Sequence, residues 1–313
     1  MREVSFGMFS KSRLLVLFIL LLSLGALFYT SEPPTRKDTV FVHSDGFWMD
    51  AEYWALEEGK IDIRAGIEFR EARNFSELYR MVKTGEADAA YIPLVLLPLL
   101  HNERPNLRLL PFREPAPEEN LAIYVSENSS VTDSPCDLKN KVVSLPEATC
   151  AGIYGQNLLA KYALKKRCGL GKNAIKYVQG NESAAAKMYL GPPNQSLREN
   201  LEPVLFPLKY QPVHFVYVAD KDIPQSKIED MINAINSSGS YALSHVEKVA
   251  KLTNQPESNI PLFLDIKGES RYPIKPLEES QIQKMQSYVD YISGQYLHVE
   301  PVNLSKITRR APK

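Results

Sequence analysis

Between residues 74 and 111 the spacing of apolar positions changes three times. Phe75, Leu78, Tyr79, Met81 and Val82 recur at helical intervals, and Gly85 stops the pattern. The short run Asp88-Ala89-Ala90-Tyr91-Ile92 follows and reads as a buried strand. Pro93 leads into a leucine-rich helix ending near His101, and residues 107–110 form a second apolar strand. Helix, glycine, strand, helix, strand is the order that a parallel αβ sheet requires, and ligands of such sheets lie beyond the carboxyl ends of the strands. Tyr91 is expected at that mouth. Gly85 suits the left-handed turn that ends a helix, and Ala89 and Ala90 leave the strand backbone approachable.

The same reading extends along the chain. Residues 39–43 form a first strand, and Ser44-Asp45-Gly46 turns out of it into a helix with Trp48, Tyr53, Trp54 and Leu56 on its apolar face. Ser44 and Asp45 are placed either to cap that helix or to line a site, because a helix start presents free amides. Glu58-Gly59-Lys60 closes the helix, and Ile61, Ile63, Ile67 and Phe69 mark an extended segment. Strands are expected at 121–125 and 142–145, the latter followed by the small-residue turn Glu147-Ala148-Thr149-Cys150-Ala151-Gly152 and a helix through Leu164. Thr149 has the same two readings, cap or ligand contact. Further on, the pattern predicts a strand at 177–178, a short helix at 183–190, irregular chain over 191–207 and a buried strand at 213–219. Helices at 226–235, 241–252 and 277–293 close the chain, the last with Ile282, Met285, Val289 and Ile292 on one face.

Composition narrows the class. The 313 residues are 44% hydrophobic and 24% charged, enough for one large or two modest domains with real cores. Lys plus Arg and Asp plus Glu both number 37, so no global field draws nucleic acid or an anionic membrane. Charge is uneven only at the start, where Arg2, Lys11 and Arg13 precede an apolar run over 14–29 and a polar linker over 32–37. Residues 1–31 therefore read as an export signal or a retained signal anchor, with the rest of the chain outside the cytoplasm. Cys136, Cys150 and Cys168 would then meet an oxidising compartment, where one pair can form a disulfide and leave one thiol free. Six Asn-x-Ser sequons begin at Asn74, Asn128, Asn181, Asn194, Asn236 and Asn303.

Four segments carry a family likeness: the Gly59 turn after the first helix, the stretch from Gly85 to Ala90, Asp137-Leu138-Lys139-Asn140-Lys141-Val142-Val143, and Tyr272-Pro273-Ile274 with the helix over 283–290. In that order they resemble the periplasmic solute-binding proteins of ABC importers, in the nitrate, sulfonate and taurine-binding group whose relatives also bind thiamine-precursor pyrimidines. The resemblance implies an α/β, two-lobed periplasmic-binding-protein-like fold of type II with a ligand cleft between lobes. It places lobe 1 at 38–120 plus 220–313 and lobe 2 at 121–219, with crossings near 121–125 and 213–219. Asn140 stands where family members usually have Gly, and Asn tolerates the left-handed conformation. The Gly-x-x-Asp-Ala pattern common in the second lobe of relatives is not matched over 188–207.

The resemblance also implies a site. Ser44 and Asp45, Tyr91 and Ile92, and Thr149 and Cys150 would come from three converging turns, with Trp48 and Tyr154 as apolar walls and Tyr217 either facing the cleft or buried in the core. Hydroxyls, free amides and aromatic rings suit a small anion or a polar heteroaromatic, while Asp45 favours a group that donates hydrogen bonds. The expected partners are a small-molecule ligand and a membrane-bound ABC permease, with no nucleic acid, no cofactor and no metal, and the protein is expected to be a monomer. An enzyme is the alternative, yet the five histidines (His43, His101, His214, His245, His298) sit on separate elements and no nucleophile or phosphate-loop motif occurs. A eukaryotic relative of the fold makes the thiamine pyrimidine with a clustered Cys motif that these scattered cysteines do not match. If the leader is retained, a membrane-anchored sensor of the same fold is a further reading.

Overall fold

The computed structural model describes residues 38–44, 53, 55–56, 59–61, 66–113, 121–126, 134–170, 174–179, 184–190, 201–253, 265–266, 269–270 and 273–309. The leader, the linker, Asp45, Trp48, Trp54, Tyr272 and the sequons at Asn128, Asn181 and Asn194 lie outside these residues. No helix among the described residues is long and apolar enough to cross a membrane.

In chain order the strands begin with β1 (Thr39–Ser44), β2 (Ile67–Ala72), β3 (Ala89–Pro93), β4 (Leu107–Leu109), β5 (Phe112–Arg113) and β6 (Leu121–Ser126). They continue with β7 (Val142–Leu145), β8 (Lys176–Gln179), β9 (Ala186–Leu190), β10 (Leu201–Leu205) and β11 (Phe215–Asp220). Two five-stranded sheets result, ordered β2-β1-β3-β11-β4 and β10-β6-β9-β7-β8. In the first, β1 runs parallel to β2 and β3, while β11 is antiparallel to β3 and β4. In the second, β7 is parallel to β8 and β9, while β6 is antiparallel to β9 and β10.

The helices are α1 (Phe75–Thr84), α2 (Leu97–Glu103), α3 (Ala151–Cys168), α4 (Gln225–Ser244), α5 (Val246–Thr253), α6 (Glu279–Ile292) and α7 (Leu304–Ile307). Local chemistry sets the ends of α1. The Asn74 side chain accepts from the amides of Ser76 and Glu77, and Gly85 (φ 76°) closes the C-terminus. Its apolar stripe, Phe75, Leu78, Met81 and Val82, is buried.

Asp88 and Arg104 hold together the amino end of β3. The Val40 amide donates to Asp88 Oδ2 at 2.8 Å, and the Asp220 amide donates to the Asp88 carbonyl at 2.8 Å. Arg104 donates to the carbonyls of Val82 and Ala87, each at 2.7 Å, and pairs with Asp220 Oδ2 at 2.8 Å. The segment from Gly85 to Asp88 therefore fastens α1, β1, β3 and β11 at the sheet edge away from the carboxyl ends of β1 and β3.

Three sequence expectations change. In place of the helix expected over 183–190, residues 186–190 form strand β9, whose Ala186 sits between β6 and β7 and pairs with both. Pairing on two sides overrides alanine's helical preference. Only residues 180–185 separate β8 from β9, whereas crossovers between parallel strands usually take a dozen or more residues. The irregular chain expected over 191–207 contains β10, whose Pro203 is accommodated on an edge strand where the register shifts. Finally, the break expected between 226–235 and 241–252 lies further on, at His245 before α5: α4 continues through Asn236-Ser237-Ser238-Gly239 to Ser244. Ser238 and Gly239 are buried there, and the Asn236 side chain accepts from the Ile274 amide at 2.7 Å.

Cys136 and Cys168 form a disulfide, leaving Cys150 as the free thiol. The bond ties the short 3₁₀ turn Pro135–Leu138 to the end of α3.

Candidate functional site

The carboxyl ends of β1, β2 and β3 share one edge of the first sheet because these strands run parallel. The antiparallel β11 brings its first residue, Phe215, to the same edge, opposite Pro93. Just outside it, the Leu94 amide donates to the His214 carbonyl at 2.8 Å. From the second sheet, β7 runs into residues 146–150 and then into the start of α3. Asn157 anchors this turn by donating from Nδ2 to the Pro146 carbonyl at 2.9 Å.

The first two turns of α3 rest directly on the edge of the first sheet. A Cβ built on Gly152 would stand 3.3 Å from Phe215 Cζ and 3.3 Å from Phe75 Cε2. One on Gly155 would stand 3.2 Å from Val95 Cγ1. The Tyr288 hydroxyl, on α6, donates to the Gly155 carbonyl at 2.9 Å. Hydrogen atoms at 152 and 155 are thus what allow the helix to approach this closely.

Behind the contact lies a row of rings. Tyr217 stands 4.4 Å from Tyr91 and 6.4 Å from Phe41, measured between centroids. Tyr91 stacks on Phe215 at 5.4 Å, and Phe215 lies 6.2 Å from Phe75. At the end of β1, His43 stacks on Tyr53 at 3.9 Å. Aromatic rings at these spacings interact favourably beyond the area they bury.

Each predicted site residue has a definite place or falls outside the described residues. Ser44 ends β1, and Asp45 and Trp48 are not described. Tyr91 is the central residue of β3 and is 4% exposed, packed beneath Phe215 rather than standing free at a mouth. Ile92 alternates to the opposite sheet face and is fully buried, as is Tyr217. Thr149 is exposed, and Cys150, not Thr149, is the N-cap of α3, with no side-chain capping bond. Tyr154 is half-buried on the first turn of α3, and burial pushes its phenol pKa up, so the hydroxyl stays protonated.

The structure adds Phe75, Val95, Gly152, Gly155, Gln156 and Phe215, which the sequence reading did not select. Gln156 lies one turn beyond Gly152 on the same face of α3. It is buried, and its Oε1 meets no hydrogen-bond partner among the described residues. The legible signals were Gly152-x-x-Gly155 early in an otherwise well-formed helix and an aromatic residue directly after the Asn74 cap. Chemically the junction offers amides at a positive helix end, a buried carboxamide and apolar rings. Among the described residues no cluster of His, Cys, Asp and Glu could hold a metal ion.

This architecture is a two-lobed, periplasmic-binding-protein-like α/β fold. It is shared with the periplasmic aliphatic sulfonate-binding protein of Escherichia coli, at 14% identity, TM-score 0.66, over 88% of this chain and 93% of that one. The alkanesulfonate-binding protein of Xanthomonas axonopodis pv. citri, solved with MOPS, matches at 13% identity and TM-score 0.60 over 88% and 99% of the two chains. The desulfurization enzyme DszB also has this fold, at 14% identity and TM-score 0.55 over 86% and 96%. No protein-family model and no curated protein matches the sequence.

Proposed function

We propose that the protein is an extracytoplasmic solute-binding protein that captures a small organic molecule or oxyanion where α3 meets the carboxyl edge of the first sheet. It would deliver this solute to an ABC permease. The supporting observation is the seating of the α3 amino end, through Gly152 and Gly155, on Phe75, Phe215 and Val95. Amides at a helix start suit an oxygen-rich anionic head, and the adjoining rings suit an apolar or flat body. A sulfonate combines the two, and two of the structural neighbours are sulfonate-binding proteins. Pyrimidine-like solutes would use the same rings with the Gln156 amide.

In this reading the lobes are 38–120 plus 220–313 and 121–219, and the seated helix belongs to a closed state. Solute entry requires α3 to lift from Phe215, a hinge motion in which the ligand selects the state that holds it best. Ser44, Asp45, Trp48, Tyr91, Thr149, Cys150 and Tyr154 are proposed to border the opened site. The leader would keep the protein outside the cytoplasm, either freed by cleavage or anchored by the uncleaved segment.

DszB shows that an enzyme can be built on this fold, so function is argued from the site and not from the fold. The described junction holds backbone amides, rings and one carboxamide, which suit binding, together with the free Cys150 thiol at the start of α3, whose chemistry a turnover assay tests. Native mass spectrometry of the full chain purified from its own export host tests the reading. A stoichiometric small molecule released on denaturation is the expected result. Turnover of a sulfonate or sulfinate into inorganic sulfite would overturn it.

A further inference from the structure

The amino end of α3 is a helix start whose donors lack their usual acceptors. The first amides of any helix have no intrahelical acceptor, so a cap, solvent or a ligand must take them. Here the N-cap is Cys150, and its side chain makes no capping bond. Among the described residues no acceptor meets the amides of Ala151, Gly152 and Ile153, whereas the next amide, that of Tyr154, donates to the Cys150 carbonyl at 3.0 Å. Gly152 and Ile153 are buried. A second, independent feature lies one turn on. Gln156 is 8% exposed, and its Oε1 meets no hydrogen-bond partner among the described residues. Helical side chains lean towards the amino terminus, over the residue four positions back. For Gln156 that residue is Gly152, about 6 Å nearer the helix start, with no side chain to stand in the way. The carboxamide is therefore directed across the bare face of Gly152 towards the free amides.

We propose that Gln156 determines specificity at this site, and that the solute is an oxyanion whose body carries a neutral hydrogen-bond donor, a hydroxyl or an amide N–H, a few bonds from the anionic head. This assignment rests on the reading of the α3 junction as the solute site. The two kinds of polar group ask for different halves of a ligand. Backbone amides only donate, and at the positive end of a helix they suit the oxygens of an anionic head. The Gln156 Oε1 only accepts, and a sulfonate oxygen, which carries no proton, cannot satisfy it. A plain alkanesulfonate would serve the helix start yet leave Oε1 buried and unpaired, at the full desolvation cost of that oxygen. A donor on the solute body removes the cost. The neighbouring walls at Phe75, Val95 and Phe215 are apolar, so they neither compete for that donor nor offset the charge of an ammonium. Apolar walls of this kind separate similar solutes weakly, whereas a buried polar group strongly rejects an analogue that lacks its partner. Selectivity at the junction is thus concentrated in one side chain.

Calorimetric titration of the full chain with two matched pairs tests the proposal: ethanesulfonate against 2-hydroxyethanesulfonate, and benzenesulfonate against 3-hydroxybenzenesulfonate. The hydroxylated member of at least one pair is expected to bind at least about tenfold more tightly than its plain counterpart. In Gln156→Leu, which keeps the bulk and removes the acceptor, the same pair should come within about twofold. Equal affinities within both pairs for the wild type would overturn the role of Gln156 while leaving the junction a solute site. A preference that survives in Gln156→Leu would overturn it as well, since another group would then be reading the hydroxyl. Binding of no member of either pair would contradict the solute-site reading together with this assignment. Should Gln156→Leu fail to fold, ¹⁵N NMR of the wild-type Gln156 side-chain amide replaces it: a larger shift with the hydroxylated member than with the plain one is expected, and equal shifts overturn the assignment.

Discussion

Gly152 of α3 lies against the ring of Phe215 at the start of β11, with space for a Cβ no closer than 3.3 Å from Cζ. This single approach joins the turn after the second sheet to the edge of the first. A Gly152→Val variant should therefore be destabilised by about 1–3 kcal/mol through overpacking. Phe215→Ala removes the obstructing ring, so the two substitutions should couple by at least about 0.5 kcal/mol in a double-mutant cycle measured by urea unfolding. Strict additivity would mean that the two residues do not touch.

Loss of the covalent tie across the α3 region should be measurable. The Cys136–Cys168 disulfide closes a loop of 32 residues in sequence separation. Chain-entropy arguments assign such a loop about 2–4 kcal/mol, so a Cys136→Ala, Cys168→Ala double variant should unfold correspondingly earlier in denaturant. Thiol labelling of the unreduced, unfolded protein should modify Cys150 alone, with the other two cysteines labelled only after reduction.

Arg104 and Asp220 form a largely buried pair at 2.8 Å, and Arg104 also donates to two carbonyls. Arg104→Met leaves Asp220 short of its partner and both carbonyls without this donor, and should cost about 3 kcal/mol. Asp220→Asn keeps a hydrogen-bond acceptor beside the guanidinium and should cost less. Equal effects in thermal unfolding would contradict this account of the amino edge of β3.

Glu77 provides a pH-dependent check. Its hydrogen bonds with the Arg73 side chain, and then with the Arg73 amide, hold its pKa down to about 2. A carboxylate held below its unfolded value stabilises the fold above that unfolded value, and the contribution is lost as pH falls towards the folded pKa. Carboxyl NMR should show Glu77 titrating near 2, and Arg73→Gln should move the midpoint up towards ordinary carboxylates. A Glu77 midpoint already at the ordinary value would show that the pairing is absent in solution.

Much of the fold was legible because the local signals agree with tertiary packing. The apolar stripe of α1 and Gly85 announce a helix, and Val142 to Leu145 read as a strand and form one. The reading failed where pairing overrides local preference. Ala186 to Leu190 look helical in isolation, but two neighbouring strands hold them extended. Pro203 looks like a breaker, but an edge strand tolerates it.

The site was less legible for the same reason. Strand alternation identifies Tyr91 and Ile92 as neighbours, but not that Tyr91 lies under Phe215 while Ile92 turns to the other face. Phe215 arrives from about 120 residues away in sequence on an antiparallel strand, and no local pattern pairs it with Gly152. The turn at Thr149 and Cys150 was visible from its small residues, whereas Gln156, one helical turn beyond Gly152, gave no signal beyond being polar in an apolar stretch.

The central claim is that a small organic solute binds where α3 meets the Phe75 and Phe215 wall. Calorimetric titration of the full chain with a panel of alkane- and arylsulfonates, repeated on Gly152→Leu, tests it most directly. The account predicts one-to-one binding of at least one sulfonate to the wild type and at least a tenfold loss in the variant, which crowds the junction. Binding that is equally tight in Gly152→Leu, or no binding by the wild type across the panel, would contradict it.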